Sequence, residues 1–205
     1  KIKIIYDTHE LETEVSGMSK LRKLISKIVE LFCIRFIDEI VVVSPLIAKW
    51  YKDRYLLKNI HIIRNLPDLK EVKIKNIKKI ISKFQIDKNK LLFCYQGILS
   101  DERQSLKLAT FFSQQPTIGQ ILFVGFGPDE IYIRQFAEKY KNIFYCPPLK
   151  VNELYSTLKN VDICFSLFKT MNLNQTFALP NKIFESFSAG KPVIVNIGGE
   201  PQNLI

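Results

Sequence analysis

The sequence predicts an α/β protein built on parallel sheet, and three observations carry the prediction. Apolar strand-like runs recur along the chain, amphipathic stretches separate them, and the two alternate almost from end to end. The runs are "IKIIYD" (2–7), "EIVVVS" (39–44), "NIHIIR" (59–64), "LLFCYQ" (91–96), "QILFVG" (120–125), "NIFYC" (142–146), "VDICFSL" (161–167) and "KPVIVN" (191–196). They are short, β-branched and aromatic, and apolar nearly throughout, as strands covered on both faces are. Right-handed crossovers then join successive strands.

The stretches between them have helical spacing. In Ser19–Ile37 the residues Met18, Leu21, Ile25, Ile28, Phe32 and Phe36 recur every three or four positions. Pro45–Arg54, Asn76–Phe84, Glu102–Gln114, Pro128–Tyr140, Val151–Lys159 and Asn181–Ala189 follow, the last with Ile183, Phe184 and Phe187 as its buried side. After 59–64, "RNLPDLKEVKIKN" has a proline and charges but no strong period, which places a domain linker near 65–75. Residues 76–205 then alternate strand and helix like a Rossmann-type domain. Residues 1–64 hold too few strands for an independent doubly wound domain.

Composition narrows the partners. A net charge of +10 admits nucleic acid, anionic membrane surfaces or phosphorylated ligands. The lysines of 20–27 and 70–90 keep helical period, so solvated helix faces account for most of them. Without zinc-finger spacing, an RNA-binding aromatic motif or an Arg-rich arm, nucleic acid is not expected as a partner. No apolar run approaches the roughly 20 residues that span a bilayer, and residues 2–7 read as a strand rather than a signal peptide. Cys33, Cys94, Cys146 and Cys164 are far apart, and buried free thiols in a reducing cytoplasm are the economical reading. With only His9 and His61 as histidines, no metal site is expected. Trp50, Tyr51 and His61 are assigned to packing.

In a parallel sheet, ligands bind beyond the C-terminal strand ends, where helix N-termini offer free N–H groups. After 91–96 comes "QGILSDERQS": Gly97 ends the strand, Ser100 or Asp101 can cap a helix, and Arg103 falls in its first turn. After 120–125 comes "GFGPDE", with Gly125, Gly127 and Pro128. This is a tight strand-to-helix turn more readily than a phosphate cradle. After 161–167 a polar loop, "FKTMNLNQTFA", leads to "LPNKIFE". There Pro180 is pre-set for a helix start, with Asn181 and Lys182 in the first turn. A lysine in a first turn opposes the helix dipole unless an anion is bound, so a diphosphate would explain it. Glu185, one turn on, suits a ribose diol. A weak surface pair between Lys182 and Glu185 fits the spacing equally well.

Taken together, "YDTHEL" (6–11), "VVVSPLIAKWY" (41–51), "IIRNLPD" (62–68), "CYQGILSDERQSL" (94–106), "ILFVGFGP" (121–128) and "LPNKIFESFSAGKPVIV" (179–195) resemble glycosyltransferase family 4, in the order seen there. The resemblance covers nearly the whole chain, and its last motif is the specific one. It implies the GT-B fold, two Rossmann-like domains facing across a cleft. This chain would begin in the latter half of the N-domain and stop before the end of the C-domain. Residues 1–64 would be the incomplete acceptor-side domain and 76–205 the donor-binding domain, and the chain alone would transfer little sugar. The activity implied is metal-independent transfer, with retention, from a UDP- or GDP-linked sugar to a glycan or lipid-linked acceptor, without further cofactor.

The resemblance also assigns roles. Glu185 matches the glutamate that holds the ribose, and Arg103 stands where a lysine contacts the diphosphate. His9 matches the histidine that faces the donor sugar, and Asn181 and Lys182 match a Pro-Asn-Lys variant. Phe177 stands where the commoner motif has its first glutamate, and Ile98 where an arginine follows the glycine. A non-catalytic nucleotide-binding or interaction module of the same fold is the alternative that these two favour. The location implied is cytoplasmic, peripheral at the inner face of the membrane. Lys20, Arg22, Lys23, Lys27 and Arg35 lie off the apolar stripe of 19–37, where they would meet either anionic lipid or only water.

Overall fold

The computed structural model describes residues 2–15, 17–67, 83–169, 172–196 and 198–204. Nearly all of the helix expected over 76–84, and residues 68–75 of the expected linker, lie outside the described residues. In chain order the elements are β1 (Ile5–Thr8), α1 (Lys20–Cys33), β2 (Glu39–Val42), α2 (Pro45–Tyr55), β3 (Ile60–Ile62), β4 (Leu92–Ile98), α3 (Ser105–Gln114), β5 (Gln120–Phe126), α4 (Glu130–Lys139), β6 (Ile143–Cys146), α5 (Val151–Leu158), β7 (Ile163–Ser166), α6 (Leu173–Phe177), α7 (Asn181–Ser188), β8 (Val193–Val195) and α8 (Glu200–Leu204). Each apolar run of the sequence carries one strand.

The chain divides into two compact units. One holds Lys1–Asn65, Met171–Leu179 and Ile197–Ile205; the other holds Leu66–Thr170 and Pro180–Asn196. The first has a parallel sheet of order β1-β2-β3, the second a parallel sheet of order β6-β5-β4-β7-β8.

In the second unit the continuous apolar runs are explained by two cores, one on each face. Phe93, Tyr95, Ile121 and Phe123 pack with Leu108 and Phe112 of α3 and Ile133 of α4. The alternate residues Leu92, Cys94, Leu122 and Val124 pack with Cys146, Leu158, Val161 and Ala189. Burying one such aromatic or aliphatic side chain contributes about 1.5–3 kcal/mol, so these two layers fix the positions of β4 and β5.

The first unit departs from expectation. Tyr6, Ile40, Val42 and Ile60 pack with Leu11, Ile34, Ile47 and Tyr51 on one face of the sheet. On the other, Lys3 and His61 both pair with Glu39, at 3.0 and 3.2 Å. His61 is therefore an exposed residue beside Glu39 rather than a packing residue. Four hydrogen bonds hold the later segments within this unit. The Asn174 side chain accepts from Leu11 N (2.8 Å) and donates to Glu10 (2.6 Å). The Ser44 hydroxyl donates to the Phe177 carbonyl (2.6 Å), and Glu200 accepts from Leu46 N at the start of α2 (2.6 Å).

Helix α1 shows its apolar stripe to solvent. Leu21, Ile25, Ile28 and Phe32 are each more than half exposed, and Cys33 is exposed too, not buried as read from sequence. The buried residue of α1 is Glu30, which accepts from the Tyr51 hydroxyl at 2.9 Å and from Tyr55. Lys23 and Lys27 pair with Glu14, leaving Lys20 and Arg22 as the exposed cations of α1, with Arg35 exposed in the 3-10 turn Ile34–Phe36 that follows it. Among the described residues no helix is long and apolar enough to cross a membrane.

Two glycines separate packing from turn geometry. At Gly125 (φ +154°) an added Cβ would fall 1.9 Å from the Gly97 carbonyl oxygen, where β5 passes β4. At Gly190 (φ +73°), just past α7, nothing lies within 4 Å. In urea unfolding, Gly190→Ala is expected to cost about 1–2 kcal/mol from left-handed backbone strain alone. Gly125→Ala is expected to cost more than about 3 kcal/mol, because backbone must move. Equal costs would contradict this packing.

Candidate functional site

β4 lies in the middle of the five-stranded sheet, with β5 and β6 on one side and β7 and β8 on the other. The strand order therefore reverses between β4 and β7, the switch point where α/β sheets leave a crevice at their C-terminal ends. The end of β4 reads Tyr95-Gln96-Gly97, and α7 starts against it.

Pro180 is the N-cap of α7, with φ −62° and ψ 132°. Asn181 is the first helical residue and is exposed; Lys182 is the second. Ile183, Phe184 and Ser186 are buried and anchor the helix, whereas Phe187 is 39% exposed and not part of the buried side expected for it. The Ser186 hydroxyl donates to the Lys182 carbonyl at 2.7 Å.

The Lys182 ammonium sits 4.7 Å from the centre of the Tyr95 ring, a cation–π contact. Gly97 makes room for it: a Cβ there would lie 3.3 Å from the Lys182 nitrogen. Among the described residues no carboxylate comes within 4.0 Å of that nitrogen. Burial lowers the Lys182 pKa to about 8, the Arg103 cation adds to the fall, and Glu185 and the Cys94 thiol only partly oppose it. Glu185 is held by Gln96, whose amide nitrogen donates to it at 2.8 Å. Burial raises the Glu185 pKa, and Lys182 partly offsets this. Of the two readings that the spacing left open, the surface pair of Lys182 with Glu185 is not what the side chains form: both are half-buried, with separate neighbours.

Arg103 is placed differently from its sequence reading. It ends a 3-10 turn, Asp101–Arg103, and Gln104 then turns left-handed (φ 56°) before α3 begins at Ser105. Neither Ser100 nor Asp101 makes a side-chain cap there. The guanidinium lies 4.0 Å over the Phe168 ring. Phe168 is itself pinned by Asn196, which accepts from its N–H (2.9 Å) and donates to its carbonyl (2.8 Å). Arg103 and Lys182 are close enough to repel, so two cations share one neighbourhood of this unit.

Packing accounts for the remaining glycines. Gly125 faces the Gly97 backbone, and Gly127 faces Leu99, whose carbonyl oxygen would lie 2.4 Å from an added Cβ. His9 belongs to the first unit, exposed, with Nε2 3.9 Å from the Asp7 carboxylate. Ile98 is 49% exposed at the end of β4. Phe177 packs into the core of the first unit, and the stretch read as a polar loop over 168–178 contains α6. Sequence reasoning missed Gln96, Tyr95 and Phe168. The signal for Gln96 was present: it is the polar residue that interrupts "LLFCYQG" just before the glycine.

Among solved structures, the chain is similar to HepE of Anabaena in complex with UDP, at 15% identity and a TM-score of 0.75 over 99% of this chain and 56% of that one. It is similar to sucrose-phosphate synthase from Thermosynechococcus elongatus at 17% identity and a TM-score of 0.68, over 98% of this chain and 52% of that one. For the pneumococcal O-GlcNAc transferase GtfA, in complex with UDP and GlcNAc, the values are 11%, 0.64, 99% and 39%. The fold is therefore GT-B type, and the chain spans about half the length, or less, of the structures it matches. No family model and no curated protein matches the chain.

A lysine whose pKa is depressed in the folded state binds fewer protons there than in the unfolded chain between about pH 8 and the ordinary lysine value near 10.4. Stability should rise with pH across that window, and Lys182 should be a liability below it. Lys182→Met is expected to raise the melting temperature at pH 7 and to shrink that gain toward pH 10. A lower melting temperature at pH 7 would show that the ammonium is already stabilised by the protein.

Proposed function

We propose that this chain carries the donor site of a glycosyltransferase of family 4, in its Pro-Asn-Lys branch. The enzyme would move a sugar from a UDP- or GDP-linked donor to a glycan or lipid-linked acceptor. The observation that carries the reading is a half-buried lysine at a helix N-terminus, without a counter-ion among the described residues, at the switch point of a parallel sheet. A bound diphosphate would supply the missing negative charge, receiving N–H groups from the first turn of α7, the Lys182 ammonium and the Arg103 guanidinium. Glu185, one turn on, would accept from the ribose hydroxyls. Structures of the same fold hold UDP, which supports the nucleotide class. His9 as the catalytic group facing the sugar, retention, and independence of metal rest on the sequence resemblance.

Two cations and a helix dipole at one place also explain why a transferase of this kind could work without a metal: together they neutralise the leaving diphosphate. The chemistry would be departure of the nucleoside diphosphate from the anomeric carbon, with the acceptor oxygen taking its place and the acceptor proton passing to the leaving diphosphate.

A membrane-surface role receives separate support from α1. Its exposed apolar stripe is bordered by Lys20, Arg22 and Arg35, the pattern of a helix that lies in an anionic interface. Ile28→Asp with Phe32→Asp should reduce co-sedimentation with phosphatidylglycerol vesicles. An unchanged bound fraction would overturn that role.

Calorimetric titration with UDP and GDP tests the donor site. Each charge-assisted hydrogen bond contributes about 1.5–3 kcal/mol, so Glu185→Ala and Lys182→Met should each bind the preferred nucleotide about tenfold to a hundredfold more weakly. Failure of the wild-type chain to bind either nucleotide, or equal affinities in all three proteins, would overturn the reading.

A further inference from the structure

We propose that Gln96 is a positioning residue for nucleotide recognition, fixing the Glu185 carboxylate in the orientation that accepts the two ribose hydroxyls; this rests on the donor-site reading above. The last torsion of a glutamate side chain is soft and samples a broad range of angles. Glu185 receives one outside restraint among the described residues, the 2.8 Å hydrogen bond from the Gln96 amide nitrogen to Oε2. The same nitrogen lies 3.4 Å from the Lys182 carbonyl, so one amide ties both functional positions of α7 to the end of β4. Gln96 cannot wander, because it is 3% exposed and paired in register with Val124 of β5.

Its other end reveals the asymmetry. Gln96 Oε1 is buried and has no hydrogen-bond partner among the described residues. A buried polar atom left unpaired is destabilising, and an apolar side chain of similar length would remove that defect. Since Nε2 donates to a carboxylate, the amide cannot be flipped to relieve Oε1. The fold therefore keeps an amide that is poor for packing at a strand position that hydrogen-bonds Glu185. Its donation also favours the charged carboxylate against the burial that opposes it.

The experiment uses the 205-residue chain, with UDP and 2′,3′-dideoxy-UDP as probes, in the wild type, Gln96→Met, Glu185→Ala and the double variant. Gln96→Met is expected to melt no lower than wild type, to bind UDP about tenfold more weakly, as for loss of one hydrogen bond to a charged group, and to bind the dideoxy nucleotide unchanged. In the Glu185→Ala background it should have no further effect. Gln96→Leu, also apolar and without the amide donor, should repeat the loss if Gln96→Met does not fold. Equal UDP affinity in wild type and Gln96→Met, an equal loss for both nucleotides, or an undiminished loss in the Glu185→Ala background would each overturn the positioning role alone. A wild-type chain that binds neither nucleotide would overturn the donor-site reading and this role with it.

Discussion

A lysine ammonium placed at the positive end of a helix, beside another cation and out of reach of any described carboxylate, is held there against its own electrostatics. Its support is almost wholly apolar. Tyr95 gives it a ring face, Gly97 gives it space, and both belong to a strand whose two faces are locked into separate cores. Buried Ile183 and Phe184 secure α7, so the helix cannot rotate to carry Lys182 out into water. Packing energy thus offsets an electrostatic cost, the usual trade at a ligand site.

The strands were legible because each is buried by its neighbours in a way that leaves a compositional trace. Runs such as "ILFV" in β5 are apolar at successive positions because one set of residues meets α3 and α4 and the alternate set meets the opposite core. Helix α6 left no such trace. It has five residues, less than two full turns, and is held by hydrogen bonds that Asn174 and the Phe177 carbonyl accept from Leu11 and Ser44, more than a hundred positions away. Spacing also showed which side of α1 is apolar but not which side packs. Glu30, with Tyr51 and Tyr55, and Glu14, with Lys23 and Lys27, turn the polar side toward the first unit.

The site was legible in its helix and less so in its supports. Lys182 in the first turn identifies itself by the dipole it opposes, and Glu185 by its place one turn on. Their neighbours do not, because Tyr95 and Phe168 look like core aromatics until a cation is seen over each ring. Arg103 was displaced from a helix to a 3-10 turn by the left-handed Gln104, a backbone choice that residue type alone rarely signals.

If the Lys182 ammonium awaits an anion, binding must be linked to a proton. At pH 8 roughly half of a lysine with a pKa of about 8 is neutral, and a diphosphate that restores its charge draws a proton from the buffer. Calorimetry of UDP binding at pH 8, in buffers with different ionisation enthalpies, measures that uptake directly. An uptake of roughly half a proton in the wild type, absent in Lys182→Met, is the expected result. Binding enthalpies that are the same in every buffer, or an uptake that survives Lys182→Met, would contradict the central role given to this lysine.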